Sequence, residues 1–142
     1  MSDLKLFLSQ NKIKRENEKY AATKSICDAG GNPVEWEIRP LTSEEVERMR
    51  NDYTREVQVT GKPGQYRPKV DVNGLTKQMI VDSVVFPDLY NEELQDSYGV
   101  NTPQELLVKI VDNPGEYTDF TQFIQEINGF IPLDAKVEEA KN

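Results

Sequence analysis

The 142 residues include no histidine and a single cysteine, Cys27. Without imidazole the chain cannot form a Ser-His-Asp or Cys-His nucleophile arrangement, and it lacks the commonest general base near neutral pH. One cysteine can form neither an internal disulfide nor a structural zinc site, which fits a reducing cytoplasm. These absences exclude most kinds of active site, and we expect no enzyme.

Long apolar runs and phosphate-binding glycine motifs are also missing. The apolar cluster from Leu4 to Leu8 is far shorter than the roughly 20 residues of a membrane span, and it lacks the features of a signal peptide. The turns "GKPGQ" and "AGGNP" lack the Lys-Ser or Lys-Thr ending of a P-loop. We therefore expect a soluble, cytosolic protein with no membrane segment and no cofactor.

The formal net charge of −8 argues against a nucleic-acid partner, because phosphate contacts need a basic surface. One segment, residues 12–24, is locally basic, with five lysines and arginines against two glutamates. This segment favours a solvated role, or a contact with an acidic partner or with the acidic remainder of this protein.

Length and hydrophobic content predict one globular domain with a modest core. We divide the chain into an N-terminal segment (residues 1–19), a domain (residues 20–131) and a flexible tail (residues 132–142). Within the N-terminal segment Leu4, Phe7 and Leu8 have helical spacing, which predicts a short amphipathic turn. Its apolar face must contact either the domain or a partner.

The domain begins with a β-hairpin pattern. Apolar Val34, Trp36 and Ile38 alternate with charged residues after the turn "DAGGNP", and "YAATKSIC" precedes that turn. A lone hairpin is marginally stable, so it must gain strands or pack on helices. The stretch "VTGKPGQYRPK" (residues 59–69) is predicted to be a linker because of its glycines and prolines.

Helix signals follow. Thr42 and Glu45 have capping-box spacing, and Leu41 and Val46 have that of a hydrophobic staple.

A second helix is expected from about Val72 to Val85, with Leu75, Met79 and Phe86 on its buried face and Pro87 as its stop.

Short helices should begin after Asn91 and Thr102, and a last helix should close at Gly129. The predicted fold class is α+β, a small N-terminal hairpin or sheet packed on a bundle of short helices.

The acidic stretch "SVVFPDLYNEELQDSYGV" contains the one candidate metal site. Asp88, Glu92 and Asp96 are four residues apart, so one continuous helix would align their carboxylates for magnesium or calcium. Pro87 and Asn91 instead place the helix start after Asp88. We interpret these acids as caps and solvated residues, and we expect no metal site.

Most aromatic residues are expected in the core. Trp36 on the hairpin, and Leu89 and Tyr90 in a loop, are the candidates for a partner-binding surface, because aromatic side chains near loops are favoured interface anchors.

Several segments of the sequence, taken in order, resemble a known family. The resemblance covers roughly residues 4–131 and is carried by segments in this order: "FLSQNKIKRENEKYAATKSICDAGGNPVEWEIRPLTSEE", "GQYRPKVDVN", "SVVFPDLYNEELQDSYGV", "PGEYTDF" and "QEINGF". Together they resemble the XkdN-like tail assembly chaperones of contractile-tailed phages and Bacillus-type defective prophages.

The resemblance implies a non-catalytic protein that binds the tape measure protein in the bacterial host cytoplasm during tail morphogenesis and is absent from the mature virion. It also implies contacts with the tail tube protein or with a longer, frameshifted form of the chain, and an oligomer is possible. The alternative is a structural tail or baseplate component that is retained in the virion.

Overall fold

A computed structural model describes residues 3–130 of the chain. These residues form two small antiparallel sheets and five α-helices, which confirms the α+β class. The elements are β1 (Glu18–Tyr20), β2 (Trp36–Ile38), α1 (Ser43–Asp52), β3 (Thr54–Gln58), β4 (Tyr66–Val70), α2 (Val72–Ser83), β5 (Val84–Phe86), α3 (Glu92–Ser97), α4 (Pro103–Ile110) and α5 (Pro114–Ile127).

The first sheet has the order β1-β2-β5 and is antiparallel throughout. The predicted turn is present, since Cys27 forms a β-bridge with Pro33 and Gly31 has a φ of +82°. The prediction placed the strand that pairs with β2 in "YAATKSIC", which is wrong. The strand that pairs with β2 is β1, which starts at Glu18 and includes only Tyr20 of that stretch. Glu18 and Lys19, assigned by sequence to the N-terminal segment, are therefore part of the sheet.

The predicted linker is wrong at residues 66–69, which lie in β4 and pair with β3 as a second hairpin, whereas residues 59–65 connect the two strands. Pro68 lies within β4, opposite Glu56. Each strand of a two-stranded hairpin has one edge without a neighbouring strand. Pro68 is tolerated in β4 because a proline is accepted in a strand where no neighbour needs its N–H. Gly61 and Gly64, both with positive φ, lie between the two strands.

The helix starts predicted at Thr42, Asn91 and Thr102 and near Val72 are confirmed. At each one a side-chain oxygen accepts a hydrogen bond from a backbone N–H in the first turn, which satisfies a donor that the helix leaves unpaired. The capping box of Thr42 and Glu45 is complete. The N-cap residues of α1 to α5 are Thr42, Asp71, Asn91, Thr102 and Asn113.

The end of α2 differs from the prediction. The helix ends at Ser83, and Val84–Phe86 pairs with β2 as a third strand. Phe86, expected on the buried helix face, is 55% exposed. Residues 84–86 form backbone hydrogen bonds with the open edge of β2, and these replace the bonds of a longer helix. The β-branched Val84 and Val85 also favour a strand.

The main core lies between the first sheet and helices α2, α4 and α5. The rings of Trp36 and Phe120 meet edge to face at 5.4 Å, and Tyr20 stacks on Phe123 at 4.3 Å. A smaller cluster joins α1 to α2 through Leu41, Met49, Leu75 and Met79.

Candidate partner-binding surface

The residues before β1 form an exposed arm, defined here as residues 3–17. It contains two 3₁₀ turns, Asp3–Phe7 and Ser9–Asn11, which agree with the predicted short turn. Each residue of the arm is exposed, including Phe7 at 83%. Its large apolar side chains are Leu4, Leu6, Phe7, Leu8 and Ile13. Exposed apolar surface of this kind is typical of an interaction site.

The base of the arm is attached to the domain at Leu41. The Arg15 guanidinium donates a hydrogen bond to the Leu41 carbonyl, and the Leu41 N–H donates to Asn128 Oδ1 at 2.6 Å. Lys12, Arg15 and Phe130 line a cleft of about 520 Å³ beside this attachment. The arm is thus held at its Arg15 end, while Phe7 lies beyond the attachment.

A small apolar pocket of about 160 Å³ lies beside β5. Its wall includes Val34, Trp36 and Leu94, and the partly exposed rings of Phe86 and Tyr98 form part of its lining. The lining is almost entirely apolar, so the pocket suits one hydrophobic group of modest size.

A shallower groove of about 690 Å³ runs between α2, α4 and α5. Val108 and Tyr117 supply apolar surface, and Lys77 and Gln122 are among its polar residues. Burial raises the pKa of the Tyr117 hydroxyl above its ordinary value. The groove has the general form that receives an amphipathic helix.

The perturbed carboxylates belong to a polar cleft between α1 and α2. Arg39 contacts Glu45 through two hydrogen bonds of 2.7 and 3.1 Å. The hydrogen bond from Arg39 is the largest cause that lowers the Glu45 pKa to about 2, and burial raises the pKa of Asp82. Glu45 also completes the capping box at the start of α1, and Arg39 directly follows β2. We therefore interpret this ion pair as a structural contact that joins β2 to α1.

The acidic residues of the candidate metal site are separated by the start of α3. Asp88 Oδ1 accepts a hydrogen bond from the Tyr90 N–H at 3.0 Å, so it stabilises a turn before the helix. Glu92 and Asp96 lie in α3. Within residues 3–130 no three carboxylate or cysteine side chains are grouped in a way that could hold a metal ion.

The three predicted partner-binding residues do not form one surface. Trp36 and Leu89 are each 2% exposed and belong to the core, so a surface role for them does not fit the structure. Trp36 does contribute to the wall of the apolar pocket. Tyr90 is 62% exposed, and it remains a candidate.

Sequence reasoning missed the exposure of Phe86 and did not name Phe7 as a partner-binding candidate. Phe86 was assigned to a helix that ends earlier, so its face was misjudged. The sequence did show an apolar cluster around Phe7 with no identified element for it to pack against. That cluster was the signal that could have identified Phe7 as a partner-binding candidate.

Among the described residues, no helix has the length and apolar content needed to cross a membrane.

Comparisons with known proteins agree with this fold. A model of the family described as "Phage XkdN-like tail assembly chaperone protein, TAC" matches residues 4–141. The chain is 28% identical over 141 residues to the "Phage-like element PBSX protein XkdN" of Bacillus subtilis (strain 168), covering 99% of this chain and 94% of that protein. It is 27% identical to the protein YqbN of the same strain, covering 99% and 93%.

The crystal structure of YqbN has a similar fold, with a TM-score of 0.75 at 22% identity, and the match covers 92% of this chain and 99% of that one. The family match extends over nearly the whole sequence and confirms the resemblance seen in the residues. The chain therefore belongs to the XkdN-like phage tail assembly chaperone family.

Proposed function

We propose that this protein binds the tape measure protein during tail morphogenesis and performs no catalysis. The family match over residues 4–141 carries this proposal, because it describes an assembly chaperone rather than an enzyme. We place the activity in the bacterial host cytoplasm and expect the protein to leave before the virion is complete.

The groove between α2, α4 and α5 is our proposed site for an amphipathic helix of the tape measure protein. Val108 is 38% exposed there although its neighbours Leu106 and Leu107 are fully buried. A bound helix would cover Val108 and Tyr117, and polar groups such as Gln122 could bond to the polar face of that helix.

The negative charge of the chain supports the same function. A net charge of −8 keeps a complex of apolar segments soluble through mutual repulsion. The tail tube protein and a longer, frameshifted form of the chain are further proposed partners, since both would be present at the same assembly step.

The first test is co-expression with the tape measure protein of the same phage or prophage. We expect the wild-type chain to keep that protein soluble and to co-purify with it. An insoluble and unbound tape measure protein would contradict the proposed function.

A matched pair of variants tests the groove. Val108→Lys places a charge in the groove, whereas Val85→Lys changes a similarly exposed valine on β5, 43% exposed against 38%. We expect Val108→Lys to reduce the recovered complex several-fold and Val85→Lys to leave it unchanged. Equal recovery would reject the groove without rejecting the chaperone function.

Mass spectrometry of purified particles separates the two functions considered from the sequence. A chaperone should be absent from finished tails, whereas a structural tail or baseplate component would be present in fixed proportion.

A further inference from the structure

The exposed arm and the apolar pocket are not used by the proposed function, and they complement each other. We propose that the arm of one chain docks on a second copy, with Phe7 in the pocket beside β5. The inference concerns self-association, and it stands or falls independently of the tape measure partner.

The first argument is size and chemistry. The pocket measures about 160 Å³ and its lining is almost entirely apolar. An apolar cavity of about 150 Å³ accepts a benzene molecule in a protein interior. The ring of Phe7 is a group of this size, and it is 83% exposed. The chain thus presents both an aromatic group and a cavity that fits it.

The second argument is charge. Arg15 of the arm bonds to its own Leu41 carbonyl, and the rest of the arm carries three basic and two acidic side chains, a net charge of +1. Residues 84–100, which supply four of the residues lining the pocket, carry four carboxylates and no lysine or arginine. Opposite charges around an apolar contact steer association and fix its orientation. An arm from a second copy meets this requirement.

The third argument is position along β2. Glu18 pairs with Ile38, so the arm leaves the sheet at the C-terminal end of β2 and is attached near Leu41. The pocket lies at the other end, around Val34 and Trp36. Because donor and acceptor surfaces are at opposite ends of the strand, each chain can give its arm to one copy and receive the arm of another, so we propose a heterologous, head-to-tail contact. Such contacts give open chains unless the rotation closes a ring.

Sedimentation velocity over a range of concentrations tests the proposal with the full chain. We expect the wild type to form a concentration-dependent series of oligomers. Phe7→Ala should weaken association about tenfold or more, because it removes the buried ring. Tyr66→Ala, which truncates an exposed aromatic ring on β4, is the matched control and should change it less than twofold.

Salt provides a further readout of the charge argument. Raising the salt concentration from about 0.05 M to 0.5 M shortens the screening length to a few ångströms and should weaken wild-type association several-fold. Unchanged association at high salt would reject the charge argument.

Complementation tests whether the arm of one chain contacts the pocket of another. Phe86→Asp places a carboxylate at the pocket of a chain whose arm is intact, and the exposed position should tolerate the change. We expect Phe7→Ala and Phe86→Asp to be monomeric alone and to form a heterodimer, without larger species, when mixed.

Three outcomes would overturn the proposal. The first is a wild type that stays monomeric at high concentration, as it would if the arm covered its own pocket. The second is equal association of wild type and Phe7→Ala. The third is a mixture of the two variants in which no heterodimer forms.

Discussion

The core and the exposed arm contain the same kinds of side chain in opposite situations. Phe120 is fully buried against Trp36, whereas Phe7 is among the most exposed residues of the described chain. In the core, apolar faces of α2, α4 and α5 meet the apolar face of the first sheet. The arm has no opposing element within residues 3–130, and its five-residue and three-residue 3₁₀ turns are too short to form one.

The difference teaches that hydrophobic content alone does not build a core. Two complementary faces must be available in the same chain, and the arm offers only one. Phe7 therefore stays exposed on the surface, while the apolar side chains of the core fix the domain.

The largest effect on stability should come from Phe120→Ala. Removing a fully buried ring between Trp36 and Tyr20 leaves a cavity and should lower the free energy of unfolding by about 3–5 kcal/mol. Urea denaturation followed by circular dichroism measures this change. A loss below about 1 kcal/mol would show that the core can rearrange around the site.

Glu45→Gln should have an intermediate effect that depends on pH. The pKa of Glu45 is about 2 in the folded protein and ordinarily 4.5, so stabilisation by Arg39 is present above about pH 5 and is lost as the pH falls towards 2. Because the pair is partly exposed to solvent, we expect about 1 kcal/mol at pH 6.

The measurement is the difference in unfolding free energy between wild type and Glu45→Gln from pH 6 to pH 2. That difference should vanish near pH 2. Asp82 acts in the opposite direction in both proteins, because burial raises its pKa and protonation then stabilises the folded state. A difference independent of pH would mean that Glu45 acts through the cap alone.

Phe7→Ala should have the smallest effect on stability, within about 0.5 kcal/mol of wild type in dilute solution. The same substitution type thus separates the two regions, since it should strongly destabilise the core at Phe120 and leave the stability of the domain nearly unchanged at Phe7. A loss above about 1 kcal/mol would show that the arm packs on its own domain.

Local signals in the sequence predicted the helix starts well. Thr42, Asn91 and Thr102 cap helices because their side chains reach a backbone N–H three residues away, and no distant contact is needed. The alternation of Trp36 and Ile38 similarly identified the buried face of a strand.

The failures involve pairing between distant segments. Val84–Phe86 continues a helical pattern, and its assignment as a strand depends on the edge of β2 more than 40 residues earlier. In the sequence Pro68 predicts an interruption of regular structure. Its place in β4 is understood only from its pairing with Glu56 in a two-stranded sheet. The apolar pocket is lined by Trp36 of β2 and Phe86 of β5, which are distant in the sequence and adjacent in the sheet. No single sequence segment could therefore predict the pocket.

The two hydrogen bonds at Leu41 have a practical consequence for labelling. The peptide groups of this residue are held by Arg15, at the base of the arm, and by Asn128, close to the last described residue. Phe130 lines the same cleft as Lys12. A dye attached beside Arg15 and one attached beside Asn128 would therefore report on the same small region of surface.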